Sequence, residues 1–263
     1  MPTATHMSAG ATATMSPQTL ASQPHYITAR NLTLANRIYR AYENVSLDFA
    51  SGRAHAICAE NKKGKSELLL TLAGRMLPSS GICTVAGIDA TRLTGIIRLR
   101  KIAGLGFFEN VNEVQKGLAL HSVVSAELGL VGKHSTGDDL DRYIKAWGLD
   151  EVADTNIDDL DRFTYDLLGV ALGMAGDPKI LVVDDIETDL TERQSQEMID
   201  LLCQLARQIG VTVVCGTTDY DLAVRFDDVA CITDDARSQA AAWEGKHADD
   251  VRSHQQDGRG GLA

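Results

Sequence analysis

The segment from Ala56 to Glu67 constrains the fold of this chain more than any other part of the sequence. It reads Ala-Ile-Cys-Ala-Glu-Asn-Lys-Lys-Gly-Lys-Ser-Glu, and it joins a short β-type run, Arg53 to Cys58, to a helical pattern, Lys65 to Met76. A strand that runs through a polar loop into a helix is typical of α/β proteins, whose ligands bind at the carboxyl ends of the strands. The segment therefore predicts an α/β fold with an anion site where the helix begins.

The loop fits most of the phosphate-binding pattern G-x-x-x-x-G-K-[ST]. Gly64, Lys65 and Ser66 match its last three positions, and Ala59 stands at its first glycine. In this pattern backbone N–H groups surround the phosphates, the lysine contacts the β- and γ-phosphates, and the hydroxyl binds magnesium. Alanine adds only a Cβ, so we expect the loop to persist if the Ala59 backbone has negative φ. The residues of this segment that we expect to bind nucleotide are Asn61, Lys63, Gly64, Lys65, Ser66 and Glu67.

Short β-type runs alternate with helical patterns later in the chain, as expected for a mostly parallel sheet with covering helices. Ile180 to Asp184 precedes the helical pattern Thr191 to Ile209, and Val211 to Gly216 precedes Tyr220 to Val224. The longer helix has a threonine that can cap its beginning and Gly210 to end it. These signals predict that its apolar stripe packs on the sheet.

Two adjacent carboxylates, Asp184 and Asp185, end the apolar run that begins at Ile180. A buried central strand explains the apolar residues without any function. Acidic residues at the carboxyl end of a strand, however, lie where open α/β sheets bind their ligands, and carboxylates are ligands that magnesium prefers. We therefore expect Asp184 to hold magnesium through water.

Composition excludes several classes of protein. The 263 residues carry 25 Lys plus Arg against 36 Asp plus Glu, and the formal net charge of −11 repels nucleic acid at long range. The richest apolar run, Leu167 to Ala175, is shorter than the roughly 20 residues needed to cross a bilayer. The five cysteines form no C-x-x-C pair, so we expect buried thiols in a reducing cytosol. No nucleic-acid partner and no direct membrane insertion are expected.

The ends of the chain have little periodicity. We expect residues 1–25 and 244–263 to be disordered tails, and residues 26–243 to form the folded unit, with an inserted helical subdomain at about 94–174. The N-terminus has no Lys or Arg before Arg30 and no apolar run, which predicts neither a signal peptide nor a transit peptide.

A longer stretch resembles the nucleotide-binding subunit of an ABC transporter. Gly64 to Gly74, continued through Leu77 to Gly81 and Val85 to Asp89, follows the family's common GKSTLLxxLAGLLxPxSGxVxVxGxD, and the turn Gly176 to Lys179 precedes the apolar strand as it does in the family. The resemblance covers most of residues 27–240. It implies a P-loop NTPase fold of ABC type, with a mostly parallel sheet, an antiparallel β element and an inserted helical subdomain.

The resemblance also implies cofactors and partners. They are ATP and Mg²⁺, an integral membrane permease, and a second ABC-type ATPase subunit in a homodimer or heterodimer. The implied location is cytoplasmic, on the inner face of the cell membrane through the permease.

Further roles follow from the same resemblance. Tyr39 is the best candidate for the aromatic residue near the adenine, with Tyr42 next, although either could equally be a core or surface tyrosine. Glu109 replaces the glutamine that senses magnesium and contacts the membrane subunit. The implied magnesium ligands are Ser66, Asp184 and Glu109.

Several hydrolytic groups depart from the family pattern. Asp185, the weak catalytic candidate, replaces the glutamate that acts on the attacking water, and a side chain shorter by one methylene loses hydrogen-bond reach. Thr218 replaces the histidine that touches the γ-phosphate. Lys62 replaces a loop glycine. In the segment Leu160 to Thr164, which corresponds to the family's LSGGQ, Asp161 replaces the serine and would oppose a partner's γ-phosphate, while still able to cap the following helix.

Three functions remain open from the sequence. The first is the ATP-binding subunit of a membrane transporter that binds Mg·ATP with weak or absent hydrolysis. The second is a soluble regulatory or scaffolding P-loop module without a transport role. The third is a slow ATPase that uses Asp185.

Overall fold

Two β-sheets form the frame of the computed structural model, which describes residues 25–60, 64–133 and 136–232. The first sheet is antiparallel and has the strand order β2-β1-β4-β5. Its strands are β1 (His25–Ala35), β2 (Arg40–Ala50), β4 (Ser80–Val85) and β5 (Ile88–Asp89). Nearly all of both predicted tails, and the loop residues Asn61, Lys62 and Lys63, lie outside the described residues.

The second sheet is parallel, with the strand order β6-β7-β8-β3-β9. Its strands are β3 (Ala54–Ala59), β6 (Ala103–Leu105), β7 (Ile180–Val183), β8 (Thr212–Thr217) and β9 (Asp228–Ile232). All residues of β3, β7 and β8 are buried. Strands covered on both faces have no polar side, which explains why these runs are mostly apolar and do not alternate.

Seven α-helices accompany the sheets in the described residues. They are α1 (Lys65–Leu72), α2 (Leu93–Leu99), α3 (Leu120–Leu130), α4 (Gly137–Ala146), α5 (Arg162–Met174), α6 (Glu192–Ile209) and α7 (Tyr220–Ala223). Helix α6 has the predicted ends: Thr191 forms a capping box with Gln194, and Gly210 follows the helix with φ +79°. None of the helices in these ranges combines the length and apolar character needed to span a bilayer.

Three apolar cores join these layers. The first packs the antiparallel sheet and α1 against one face of the parallel sheet, and the second packs α6 against the opposite face. The third lies among α3, α4 and α5. Helix α5 contributes Val170 to the second core and Leu168 to the third, so its N-terminus is fixed relative to the sheet.

The mostly parallel sheet, its covering helices and the antiparallel element are confirmed. One strand differs from the expectation of a helical region at 94–174: Ala103 to Leu105 forms β6, which pairs with β7 in the parallel sheet. Three residues are too few to show a period of two, so the sequence pattern gave no strand signal here. The helices α3, α4 and α5 that build the third core follow this strand.

Candidate nucleotide site

Gly64 fixes the entry to α1. Its φ is +77°, and a Cβ at this position would lie 2.1 Å from the carbonyl oxygen of Ala41. Both the left-handed backbone and the close approach require glycine. No side chain of the described residues caps the helix at this end. These residues therefore leave the first backbone N–H groups of α1 open to an external anion.

Lys65 lies in a compact ionic cluster at the carboxyl end of β7. Its Nζ donates hydrogen bonds to Asp184 Oδ1, at 2.6 Å, and to Asp185 Oδ1. Ser66 Oγ donates to Asp184 Oδ2. The side chains of Lys65 and Asp184 are each 6% exposed, whereas that of Asp185 is 39% exposed. The structure thus brings together four of the residues that the sequence assigned to phosphate, magnesium and water.

Burial and charge act on this cluster in opposite ways. Burial alone would lower the pKa of Lys65, but the charges and hydrogen bonds of Asp184 and Asp185 outweigh it and raise that pKa. Burial raises the pKa of Asp184, against the effect of Lys65 and Ser66. Lys65 therefore stays protonated, and Asp184 depends on this ammonium to remain ionised.

Two backbone features of the cluster were missed by the sequence analysis. A Cβ at Gly216 in β8 would lie 2.2 Å from Asp184 Oδ1, so glycine makes room for the carboxylate. Asp185 has φ +50°, in the left-handed region that Asp tolerates better than most residues, and its N–H donates to Asp184 Oδ1 at 3.1 Å. Neither feature has a local sequence signal, since one depends on a neighbouring strand and the other on the turn.

Tyr39 and Tyr42 occupy different environments. Tyr39 lies in the loop between β1 and β2, is 50% exposed, and donates a hydrogen bond from its hydroxyl to Glu67 Oε1 in α1. Tyr42 is 2% exposed, and its hydroxyl lies 2.8 Å from Thr71 Oγ1 inside the first core. Tyr42 is therefore a core residue, and its ring is not available to a base. Tyr39 lies beside the first turn of α1, where the sequence analysis expects the nucleotide.

Asp161 caps α5, as predicted. Its Oδ1 accepts the backbone N–H of Thr164 at 3.1 Å, and its Oδ2 accepts the Thr164 hydroxyl at 2.6 Å. These hydrogen bonds lower the pKa of Asp161. The N-terminus of α5 thus carries its own anion.

Thr218 lies at the end of β8 and is held by a residue that the sequence analysis missed. Its backbone N–H and its hydroxyl both donate to Glu187 Oε1, at 2.5 and 2.7 Å. The other carboxylate oxygen, Oε2, is buried and has no hydrogen-bond partner in the described part of the chain. Glu187 therefore fixes Thr218 in the region where the resemblance places a histidine.

The other residues that the sequence assigned to the nucleotide site are not held by contacts with the cluster around Lys65 in the described part of the chain. Glu109 follows β6, and its exposed side chain makes no hydrogen bond or ion pair with any residue that the structure describes. Ala59 ends β3 in extended conformation, which meets the condition set for an alanine at the first glycine position. Asn61 and Lys63 lie outside the described residues. The structure therefore does not join Glu109 to the cluster around Lys65.

Known proteins resemble this chain over most of these elements. A family model described as ABC transporter matches residues 42–187. The methionine import ATP-binding protein MetN of Geobacillus kaustophilus is 27% identical over 206 residues, which are 77% of this chain and 60% of that protein. This chain therefore matches less than two thirds of the length of MetN.

Solved structures share the fold. The structure of cbiO1 from Clostridium perfringens, part of an ABC transporter complex, has a TM-score of 0.67 at 23% identity and covers 80% of this chain and 85% of that one. A dimeric ATP-binding cassette in a post-hydrolysis state, bound to ADP and Pi, has a TM-score of 0.68 at 21% identity and covers 79% and 94% of the two chains. At these identities the likeness concerns the fold alone.

Proposed function

The chain belongs to the ABC transporter family, and from this premise we propose that it is the ATP-binding subunit of a membrane transporter that binds Mg·ATP with weak or absent hydrolysis. The observation that carries the proposal is the beginning of α1, where a helix end that no described side chain caps carries the Lys65 ammonium and the Ser66 hydroxyl. Free N–H groups, a cation and a hydroxyl are the groups that a triphosphate with magnesium requires.

Magnesium fits the same cluster. Ser66 Oγ and the Asp184 carboxylate are already in contact, and both are hard oxygen donors of the kind that magnesium prefers. These residues would hold the ion, which supplies positive charge to the β- and γ-phosphates. Glu109 is proposed as a further ligand on the resemblance alone. Lys65 would exchange its carboxylate contacts for phosphate oxygens.

The other proposed nucleotide contacts come from Tyr39 and from the loop before α1. Tyr39 offers an exposed ring beside the helix for the adenine, and Tyr42 is no longer a candidate because it is buried. Gly64, with φ +77°, sets the direction in which the chain enters α1. Asn61 and Lys63 complete the proposed loop from sequence alone.

Weak hydrolysis follows from the groups around the γ-phosphate position. Asp185 is shorter than a glutamate, and its Oδ1 already accepts a hydrogen bond from Lys65. Thr218 cannot carry a positive charge, and both of its donors are directed to Glu187. A base that is engaged elsewhere and a switch residue without charge both reduce the activation of water.

The proposed partners are an integral membrane permease and a second ABC-type ATPase subunit. Import is named for the relative MetN, and a dimer is named for one of the structural neighbours. Peripheral attachment to the inner face of the cell membrane through the permease follows from these partners. Neither nucleic acid nor direct membrane insertion belongs to the proposal.

Calorimetry with Mg·ATP tests the binding function. We expect wild-type protein to bind with one site per chain and Lys65→Ala to lose most of the affinity. An absence of binding by the wild type in the presence of magnesium would exclude the proposal. Copurification with a protein of several membrane spans supports the transport role, whereas a soluble partner without permease supports the regulatory alternative.

Steady-state turnover tests the weak-hydrolysis part. We expect any phosphate release by the wild type above that of Lys65→Ala to be small and to persist in Asp185→Asn. Turnover that exceeds this control and disappears in Asp185→Asn would favour the slow ATPase instead. Asparagine keeps the length of the side chain and tolerates the positive φ of this position, so the comparison isolates the carboxylate.

A further inference from the structure

The carboxylate of Glu67 lies in the first turn of α1, at the helix end assigned to the phosphates. Glu67 is the third residue of this helix, after Lys65 and Ser66. The family pattern quoted above has threonine there, which is neutral. A negative charge in the first turn interacts favourably with the positive end of the helix, and a phosphate anion at the same end uses the same field.

Tyr39 holds this carboxylate in place. The phenol donates its hydrogen bond to Glu67 Oε1. This bond, with partial burial and the charge of Glu67, raises the pKa of Tyr39 to about 12. The loop that carries Tyr39 is itself ordered by Asn36, whose Oδ1 accepts the N–H groups of Ile38 and Tyr39 at 2.9 and 2.7 Å. Glu67 is therefore fixed beside the helix end.

Lys65 does not offset this charge. Its ammonium makes its hydrogen bonds with Asp184 and Asp185, on the side of β7. Even if Lys65 transfers to a phosphate, the Glu67 carboxylate stays on the Tyr39 side of the helix. Among the residues that the structure describes, no cation pairs with Glu67, so a bound polyphosphate would lie close to its negative charge.

We propose that Glu67 is a counter-anion built into the phosphate site, which weakens the binding of polyphosphates and so raises the nucleotide concentration at which this subunit becomes occupied. The inference rests on the proposed function, since it concerns the same helix end. It reassigns Glu67 from a residue that favours the nucleotide to one that opposes its phosphates.

Neutralising Glu67 tests this inference. Glu67→Gln keeps the size and the acceptor for Tyr39 but removes the charge, and Glu67→Thr is a second neutral variant. The matched control is Glu192→Gln, which removes one charge from the first turn of α6. Affinities for Mg·ATP and for inorganic tripolyphosphate with magnesium are measured by calorimetry at low salt. We expect both Glu67 variants to bind both probes about threefold to thirtyfold more tightly, and the control to match the wild type.

The outcomes separate this inference from the proposed function. If the wild type binds Mg·ATP, Lys65→Ala abolishes binding and neither Glu67 variant gains affinity, the counter-anion role is wrong and the binding function stands. A gain for ATP without a gain for tripolyphosphate also overturns it, because the effect would then come from the base and the released Tyr39 ring. If no variant binds either probe, both proposals fail.

Discussion

Helices α1 and α5 begin in opposite ways. At α1 the residue ahead of the helix is Gly64 with φ +77°, and none of the side chains that the structure describes caps the first N–H groups. At α5 the preceding residue is Asp161, whose carboxylate accepts the N–H of Thr164. Both ends carry the positive partial charge of a helix N-terminus and have an acidic side chain of the chain itself nearby, but only at α5 does that side chain accept a backbone N–H of the helix from among the described residues.

The two helix ends therefore differ in how well they can bind an anion. A phosphate at α1 meets backbone donors that no described side chain occupies, whereas one at α5 meets a carboxylate that already accepts the N–H and the hydroxyl of Thr164. In the dimer that the resemblance implies, the segment before α5 would face the γ-phosphate bound by the partner subunit. We therefore expect this chain to hold its own nucleotide better than it grips that of a partner.

The largest expected effect comes from removing the cation at the open end. Lys65→Ala should weaken Mg·ATP binding by about 2–5 kcal/mol, or roughly thirtyfold to several thousandfold in Kd, because a charged donor is lost and Asp184 is left without its ammonium. Calorimetry measures the change. Lys145→Ala, at an exposed position in α4, is the matched control and should bind as the wild type does. Equal binding by both variants would show that α1 is not the phosphate site.

The second effect concerns the glycine that opens α1. Gly64→Ala should lower the free energy of unfolding by about 2–3 kcal/mol, because the left-handed backbone is strained and the new Cβ meets Ala41 O. Gly132 provides a matched control, since it has the same φ of +77° but nothing within 4 Å of its Cβ position. Gly132→Ala should lose only about 1 kcal/mol. Urea unfolding measures both, and equal losses would mean that the contact with Ala41 is not important.

The beginnings of α1 and α5 were predictable from the sequence because local signals determine them. The glycine before α1, the lysine and serine that begin this helix, the Asp161 cap and the ends of α6 all depend on residues within one turn of each other, and the structure has each of them. Short-range patterns of this kind follow from backbone geometry and hydrogen bonding within a few residues. The parallel sheet was also predictable, because its buried strands are mostly apolar.

Features that depend on distant residues were not predictable. Tyr39 and Glu67 are separated by 28 residues, and their hydrogen bond depends on how the β1–β2 loop meets α1. Gly216 makes room for Asp184 from a neighbouring strand, and Glu187 reaches Thr218 across 31 residues. These contacts arise from tertiary packing, for which one sequence carries no periodic signal.

The third prediction concerns the Asp161 cap at the beginning of α5. Asp161→Ala should lower the free energy of unfolding by about 1 kcal/mol, because the cap of α5 is lost, whereas Asp161→Ser should cost only a few tenths, since serine is also a good cap. Urea unfolding of both variants measures the difference. Equal stability of Asp161→Ala and Asp161→Ser would show that the hydrogen bond to Thr164 does not close this end of α5.

The smallest effect is the pH dependence of that cap. The hydrogen bonds from Thr164 lower the pKa of Asp161, so the unfolded state binds this proton more readily than the folded state. The stabilisation is therefore complete above the ordinary Asp pKa of about 4 and is lost as the pH falls through the lower, folded value. We expect the stability advantage of the wild type over Asp161→Ala to shrink from pH 6 to pH 3, by less than about 1 kcal/mol because the group is exposed.

Asp141→Ala removes a carboxylate from α4 outside any cap, and its difference from the wild type should change less with pH. If the advantage over Asp161→Ala grew on acidification, the cap would be stronger when protonated, and α5 would not carry an anion of its own.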